Sequence, residues 1–176
     1  MDPQPATARL SLTELARDIK RHGKALGFQA VGISDIDLAE HETRLLNWLD
    51  QGRHGEMGYM QRHGTRRARP AELVPGTLRV ISVRMDYLPP ATADAETVLN
   101  MPQLGYVSRY ALGRDYHKVL RSRLKTLAGH IEAKIGPFGH RIFVDSAPVL
   151  EKALAEKAGL GWIGKHTNLL AREAGS

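Results

Sequence analysis

Apolar residues recur at helical spacing in four stretches of the chain. The first follows the sequence SLTE at residues 11–14, a capping box in which the serine accepts from a helical amide and the glutamate reaches back to the cap, and the predicted helix ends before Gly27. Similar stripes predict helices at residues 40–51, from about Asp115 to the sequence GPFG, and over residues 148–159. The pattern therefore indicates a chain rich in helix.

Shorter apolar runs between these helices predict strands. The sequences FQAVGIS, TLRVISVRMDYL and RIFVD have the composition of strands, and a last short strand is predicted in HTNLLA. The sequence PPATADAETVLNMPQLG has the prolines and small polar residues of a long exposed loop. Helices interleaved with few strands predict an α+β fold, with a mixed sheet flanked by helices. Residues 1–10 are polar and contain prolines, and we expect them to be disordered.

The composition favours a soluble protein with one core. The chain has 176 residues, of which 42% are hydrophobic, and this is enough for one sizeable core. No apolar run reaches the roughly 20 residues of a membrane helix, and the N-terminus lacks the residue order of a signal peptide. We therefore expect a cytoplasmic protein that does not enter a membrane. The absence of cysteine excludes disulfides, thiolate metal sites and iron–sulfur ligation by these residues.

Basic residues are concentrated in two blocks. The chain has 25 lysines and arginines against 19 acidic residues, which gives a net charge of +6. The sequence RHGTRRAR at residues 62–69 holds four arginines and no acid, whereas residues 109–125 hold six lysines and arginines and a single acid, Asp115. Such blocks either form a surface for the phosphates of a polyanionic partner or are two solvated faces of an ordinary protein.

The aspartate at the end of the predicted strand RIFVD has two possible roles. Asp145 stands just before the predicted helix at 148–159, so it could cap the amides of that helix. It could instead present an acid in a cleft, if apolar neighbours such as Phe143 shield it from water and keep it protonated near neutral pH. In that second role it could donate a proton to a leaving oxygen.

Two further stretches contain residues that could bind a ligand. In GYVSRYALGRDYHKVLRSRLK, tyrosines alternate with arginines, which offers rings for stacking and guanidinium groups for phosphates. Asp115 is predicted to cap the following helix, and His117 is either a surface residue at the helix start or a catalyst. The glycines of AEKAGLGWIGKHTNLL follow a helix and lack the spacing of a phosphate loop, so they indicate nucleotide binding only weakly. Histidines at metal-ligand spacing are absent, and we predict no metal site within the chain.

Five blocks, in order along the chain, carry a resemblance to a known family. They are GEMGYMQRH, RARPAELVPGTLRVISVRMDYLP, GYVSRYALGRDYHKVLR, FVDSAPVLEKALAEKAGLGWIGKH and REAGS. Together they resemble the N-terminal catalytic region of epoxyqueuosine reductase. The resemblance implies a cobalamin-dependent oxidoreductase that reduces epoxyqueuosine to queuosine at the wobble position of a tRNA with a GUN anticodon. It also implies a fold similar to the cobalamin-binding domains of reductive dehalogenases and of cobalamin-trafficking chaperones.

The resemblance assigns roles to individual residues. Asp145 matches the family's proton donor, and it is expected at the cofactor together with Arg67, Ser108 and Leu169. The residues expected near the substrate or active site are Asp115, Tyr116, His117 and Lys165. Arg67 could instead contact a tRNA phosphate, and Lys165 could be an ordinary solvent-exposed lysine.

The resemblance also implies a second domain, which is ferredoxin-like and holds two 4Fe–4S clusters. The chain has no cysteine to bind such clusters. We therefore expect residues 11–176 to be a monomeric cobalamin-binding catalytic domain that is truncated before the ferredoxin-like domain and inactive alone. Two alternatives of other classes are a corrinoid carrier without catalysis and a tRNA-binding module without cofactor.

Overall fold

A computed structural model of the protein describes residues 11–88 and 91–172, so the disorder predicted for residues 1–10 concerns residues outside this description. The helices and strands follow one another in the order α1 (Leu12–Ala25), β1 (Ala30–Ser34), α2 (Ala39–Asp50), α3 (Pro70–Leu73), β2 (Val80–Arg84), α4 (Ala95–Leu99), α5 (Tyr116–Ile135), α6 (Glu151–Lys157), β3 (Trp162–Ile163) and β4 (Leu169–Leu170). Short 3-10 turns occupy Gly64–Arg67 and Arg109–Ala111. None of the helices in the described ranges is long and apolar enough to span a membrane.

The start of α1 has the capping box that the sequence predicts. The side chain of Ser11 accepts from the amide of Glu14, and the Glu14 carboxylate accepts from the amide of Ser11 in return. Gly27 follows the end of the helix with a φ of +87°, a left-handed conformation in which glycine is favoured because it has no Cβ. The chain can therefore turn there and enter β1.

Two small antiparallel sheets replace the predicted mixed sheet. Strands β1 and β2 pair from Ala30 opposite Arg84 to Ser34 opposite Val80, and β3 pairs with β4. Both ladders are two-stranded and antiparallel in the part of the chain that the structure describes. The prediction of a mixed sheet is therefore wrong, whereas the combination of helices with a small amount of sheet is confirmed.

The segment RIFVD is not a strand, which corrects the prediction. Residues 141–143 have no regular secondary structure and a series of bends follows over 144–149, where the amide of Ser146 donates to the Val144 carbonyl at 2.7 Å. Asp145 has a φ of +57°, and an extended strand cannot continue through such a residue. The following helix, α6, begins at Glu151 rather than near Pro148. The predicted exposed loop also differs, since it contains the short helix α4, capped by Asp94.

The main core lies between α1, β1 and α5. Its buried members are Ile19, Phe28, Val31, Leu127 and Ile131. A second, smaller cluster joins α6 to the segment around α3 and consists of Leu38, Ala68, Ala153 and Leu154. These two clusters fix α5 and α6, the helices whose first residues lie next to Asp145.

A polar contact also joins α1 to α5. Nε2 of His130 lies 2.6 Å from the Asp18 carboxylate, and the ring of His130 stacks on that of His22 with centroids 3.7 Å apart. The hydrogen bond with His130 lowers the pKa of Asp18, although burial opposes this effect. Because such a bond is directional, it limits the rotation of α5 about its axis.

The contact between β1 and α6 depends on a glycine. A Cβ at Gly32 would lie 2.5 Å from the Ala158 carbonyl oxygen and 2.7 Å from the Ala158 Cβ. We therefore expect Gly32→Ala to separate α6 from β1 and to lower the free energy of unfolding by roughly 1–3 kcal/mol. Urea denaturation followed by circular dichroism measures this change.

Gly129→Ala is the matched control, because a Cβ at Gly129 meets no atom within 4 Å. There alanine should raise stability by roughly 0.5–1 kcal/mol through helix propensity. Equal effects of the two substitutions would contradict the close packing at Gly32.

Candidate active site around Asp145

The first turn of α5 places two aromatic side chains beside Asp145. Asp115 caps the helix by accepting from the amide of His117 at 2.9 Å, as the sequence predicts. Tyr116 and His117 follow as the first helical residues, and their rings stack with centroids 4.0 Å apart. The ring of Tyr110 packs edge-on against Tyr116, with centroids 5.9 Å apart. The cap thus fixes the start of α5 and, with it, the positions of the Tyr116 and His117 side chains.

The Asp145 carboxylate connects to this turn through two contacts. The Tyr116 hydroxyl donates a hydrogen bond to Asp145 Oδ2, and Nε2 of His117 lies 3.7 Å from the same oxygen. The other ring nitrogen of His117, Nδ1, lies 3.2 Å from Asp115 Oδ1. His117 is therefore held between two carboxylates. We call Asp115, Tyr116, His117 and Asp145 the Asp145 cluster.

The charges in the Asp145 cluster change the acidity of its members. The hydrogen bond to Asp145 raises the pKa of Tyr116 to about 12, with burial and the charge of Asp145 acting in the same direction. For Asp115, burial raises the pKa, but hydrogen bonds from the amide and ring of His117 outweigh it and the net pKa is lowered. The Tyr116 phenol therefore stays protonated as a donor over the whole physiological pH range.

Asp145 is not shielded from water, as the second of its two possible roles requires. Its side chain is 56% exposed, because it leaves the chain at a bend rather than at the end of a strand between apolar neighbours. The residue before it, Val144, is buried instead. In this state the carboxylate accepts from Tyr116, so its position is set by a hydrogen bond and not by exclusion of water.

Arg67 is joined to the segment that follows Asp145. Its guanidinium donates to the carbonyls of Tyr59 at 3.0 Å and Met60 at 3.3 Å, and its own carbonyl accepts from the amide of Leu150 at 2.9 Å. The arginine thus holds its own loop in shape and ties that loop to the residues just before α6.

The remaining predicted residues lie on other segments. Ser108 is exposed at the start of the 3-10 turn Arg109–Ala111. Leu169 is half-buried in β4, and Lys165 is exposed in the turn between β3 and β4. An amide of β3, that of Ile163, donates to the Glu156 carboxylate at 2.7 Å, which fixes this hairpin to α6. The structure therefore brings the four residues of the Asp145 cluster together, whereas Ser108, Leu169 and Lys165 lie on other segments.

A cavity and an exposed apolar segment adjoin Tyr116. The cavity has a volume of about 490 Å³, and its walls include Tyr87, Arg109, Tyr110, Leu112, Arg114 and Tyr116. Large apolar side chains are exposed along the segment that leads to α5, and they are Leu99, Met101, Leu104, Tyr106, Val107, Tyr110 and Leu112. An exposed apolar segment of this size typically marks a binding surface. Within the described ranges, no group of three or more acidic, histidine or cysteine side chains could hold a metal ion.

The first basic block is only partly available to a ligand. Arg69 pairs with Glu42 at 2.7 Å and with Glu72 at 3.0 Å, and these bonds raise its pKa further. Arg67 donates to two carbonyls of its own loop, whereas Arg62 and Arg66 are exposed. In the second block, Arg123 donates to the carbonyl of Gly27 at 3.1 Å and so serves the fold.

Comparison with known proteins identifies the family. A family model described as "Epoxyqueuosine reductase QueG, DUF1730" matches residues 67–146, a range that contains the whole Asp145 cluster. The epoxyqueuosine reductase of Pseudomonas aeruginosa is 64% identical over 179 residues, which cover 100% of this chain and 49% of that protein. The chain belongs to the epoxyqueuosine reductase family. The epoxyqueuosine reductase of Escherichia coli is 63% identical over 167 residues, which cover 95% of this chain and 44% of that protein.

Solved structures of epoxyqueuosine reductases share the fold. One of them, a crystal structure with a tRNA-Tyr epoxyqueuosine-modified tRNA stem loop, matches with a TM-score of 0.74 at 23% identity, over 94% of this chain and 44% of that chain. The chain thus spans about half the length of the epoxyqueuosine reductases that it matches.

Glu151 lies near the Asp145 cluster, and no pattern in the sequence assigned it a role. It is the first residue of α6, its carboxyl is largely buried, and its Oε1 has no hydrogen-bond partner among the described residues. Burial raises the pKa of Glu151, the negative charge of Asp145 adds to this, and a hydrogen bond from the Asp145 amide opposes both. The signal in the sequence was a glutamate set between the apolar pairs of VLEKAL.

Proposed function

We propose that this chain is the cobalamin-binding catalytic part of an epoxyqueuosine reductase. In that role it reduces epoxyqueuosine to queuosine at the wobble position of a tRNA with a GUN anticodon. The observation that carries the proposal is the Asp145 cluster, which lies within the residues that match the family model. The proposal includes a cytoplasmic monomer whose fold resembles the cobalamin-binding domain of reductive dehalogenases, and a separate domain that holds the 4Fe–4S clusters.

The surface beside the Asp145 cluster fits a corrin. Cobalamin carries its cobalt inside a ring, so a protein needs to supply mainly an apolar face for that ring. The apolar side chains exposed along 99–112 and the rings of Tyr110 and Tyr116 supply such a face next to Asp145. The cavity of about 490 Å³ is within the volume range of small-molecule sites. The residues proposed to hold it are Arg67, Ser108, Asp145 and Leu169.

The side chains of the protein are then proposed to deliver a proton to the epoxide oxygen. Removing the epoxide oxygen as water takes two electrons and two protons, and cobalamin, when bound, supplies the reducing electrons. Asp145 is proposed to protonate the oxygen, and solvent supplies the second proton. Because Asp145 is exposed in the chain alone, its cover from water would come from the bound cofactor and base. Tyr116 and His117 hold the carboxyl group in position.

The exposed basic residues are proposed to bind the tRNA. Those that remain exposed in the two blocks are Arg62, Arg66, Arg114, Lys118, Arg121 and Lys125. Phosphate neutralisation by such residues supplies much of the affinity for RNA, and exposed tyrosines can stack on unpaired bases. The related structure with a modified tRNA stem loop supports this assignment, and Lys165 is proposed to lie near the substrate.

The cofactor assignment predicts a loss of binding at Arg67. Arg67→Ala is expected to weaken the affinity for cobalamin roughly 10–100-fold, the loss of one charge-assisted hydrogen bond. The measurement is the visible absorbance of cobalamin that stays with the protein after incubation with a reductant and desalting. Arg66→Ala, which removes the exposed neighbouring guanidinium, is the control.

Each outcome separates the proposal from its alternatives. Retention by the unmodified chain and by Arg66→Ala, with loss in Arg67→Ala, supports the cofactor site. A chain that retains no corrinoid absorbance but binds tRNA would instead be an RNA-binding module. Retention without any effect of Asp145 on reduction would favour a corrinoid carrier.

A further inference from the structure

The outer face of α5 carries a row of cations along its first turns. Lys118, Arg121 and Lys125 follow one another at spacings of three and four residues, so they lie on one face of the helix, and all three are exposed. Arg114 is exposed as well and stands just before the cap, Asp115. We call Arg114, Lys118, Arg121 and Lys125 the α5 ridge.

The opposite face of α5 packs against the rest of the fold. Leu127 and Ile131 are buried in the main core, and Leu120 and Leu124 pack against it. Arg123 lies on this inner side too, because its guanidinium donates to a backbone carbonyl in the turn after α1. The core contacts therefore fix the direction in which the α5 ridge faces, and the α5 ridge itself takes no part in the packing.

The charges of the α5 ridge are not neutralised within the described part of the chain. None of its four side chains forms a salt bridge with a described residue. Asp115 is occupied by the amide and ring of His117, and the next acid along the helix is Glu132, beyond the end of the α5 ridge. In the first basic block, by contrast, Arg67 and Arg69 are both bonded within the fold. The second block therefore offers more unpaired charge to a ligand.

The position of these cations does not favour the helix. The N-terminal end of a helix is the positive end of its dipole, where acidic side chains are stabilising, but the first turn of α5 holds no acid. Like charges three or four residues apart on a helix also repel one another. Helix stability thus gives no reason for the α5 ridge, whereas a polyanion bound along it would neutralise the repulsion.

A second cavity adjoins both the α5 ridge and the Asp145 cluster. Its volume is about 330 Å³, and its walls are formed by Arg114, Asp115, Lys118, Val119, Ser122 and Arg123. Asp115 is a member of the Asp145 cluster, and Arg114 also lines the larger cavity beside Tyr116. Two exposed cations and the hydroxyl of Ser122 can therefore donate to one phosphate at this place.

We propose that the α5 ridge binds consecutive phosphates of the RNA strand that continues from the base at Asp145, and that the second cavity takes the first of these phosphates. This inference rests on the proposed function in taking RNA as the substrate, and it assigns the path of the strand, along α5 and away from the Asp145 cluster. From Lys118 to Lys125 the helix rises about 10 Å. Since a duplex strand carries one phosphate per about 3.4 Å of axis, the α5 ridge is long enough for about three phosphates.

Two variants with the same loss of charge test the proposal. The ridge variant replaces all four residues of the α5 ridge by glutamine. The control variant combines Arg17→Gln, Lys20→Gln, Lys24→Gln and Arg53→Gln, which are exposed positions on α1 and after α2 that form no salt bridge with a described residue. The measurement is the affinity of the full-length protein that contains this chain for a tRNA stem loop, taken by fluorescence anisotropy at several salt concentrations.

The expected result is a weaker salt dependence in the ridge variant. The logarithm of the affinity falls with the logarithm of the salt concentration by about 0.7 per phosphate contact on a single strand, so the slope should become shallower by roughly 2–3 in the ridge variant. Lys118→Gln alone should account for about 0.7 of this change. The control variant should change the slope by less than about 0.5, the share of one partial contact.

Urea denaturation shows whether the ridge variant is folded. Its midpoint should not be lower than that of the unmodified protein, because the substitutions remove like charges near the start of α5. Equal slopes in the ridge variant and the unmodified protein would overturn the α5 ridge as a phosphate site and leave the proposed function in place. Equal losses in both variants would also overturn it, because net charge alone would then explain the binding. An unmodified protein without affinity for the stem loop would reject the tRNA substrate and the α5 ridge together.

Discussion

Asp145→Asn is expected to lower the rate of epoxide reduction by roughly 10²–10⁴-fold, the usual contribution of a positioned general acid. Asparagine has the same shape, but its amide has no proton to transfer at neutral pH. It also gives Tyr116 a weaker acceptor in place of the carboxylate that now accepts its hydrogen bond. The affinity for cobalamin should change little, because the ring would bind mainly through the apolar side chains along 99–112.

The rate should be measured in a full-length protein that contains this chain, because the chain spans about half the length of the relatives that it matches. Formation of queuosine in a modified tRNA stem loop is the product assay, with desalted absorbance as the binding assay. Asp50→Asn, at the exposed end of α2, controls for the loss of one surface charge. A rate within about threefold of the unmodified enzyme would assign the proton to another group, and the proposal for Asp145 would fail.

Local signals in the sequence predicted the starts of α1 and α5 and the strands β1 and β2. The capping box of Ser11 and Glu14 and the cap at Asp115 are interactions between residues two or three positions apart, so their chemistry can be read from the sequence itself. Strands β1 and β2 are rich in β-branched residues and pair with each other. These features depend on interactions between residues close together in the sequence, or on the pairing of two strands.

The burial of single side chains could not be read in the same way. The apolar run that precedes Asp145 predicts a strand, but Val144 is buried within a bend, and a bend and a strand can bury the same residue. The left-handed φ of Asp145 is set by tertiary contacts and carries no signal in its residue type. As a result, Asp145 is exposed, whereas burial raises the pKa of Glu151, six residues later.

The assembly of the site depends on contacts far apart in sequence. Tyr116 and Asp145 are separated by 29 positions, and their hydrogen bond requires α5 and the bend before α6 to meet. Hydrophobic spacing gives the length of α5 but not its neighbour, so only the family resemblance placed Asp115, Tyr116 and His117 near the active site. The structure shows that they contact one another and Asp145, and their place at an active site stays a prediction.

Phe28→Ala is expected to lower the free energy of unfolding by roughly 3–5 kcal/mol, the usual cost of removing a fully buried aromatic side chain. Phe28 is 2% exposed and belongs to the core cluster with Ile19, Val31 and the α5 residues Leu127 and Ile131. Alanine leaves a cavity among residues that are themselves fixed by α1 and α5. Because small domains are stable by about 5–15 kcal/mol, this single change would remove a large share of the total.

Urea denaturation of Phe28→Ala should be compared with that of Leu12→Ala, since Leu12 is 84% exposed and its loss should cost less than about 0.5 kcal/mol. Equal costs would contradict the assignment of Phe28 to the core. While it remains folded, Phe28→Ala should keep the raised pKa of Tyr116, because the two residues of its hydrogen bond, Tyr116 and Asp145, lie outside that cluster. Urea denaturation and the titration of Tyr116 therefore report on different properties. Together they distinguish an unstable variant with an intact site from a stable variant in which Asp145 is displaced.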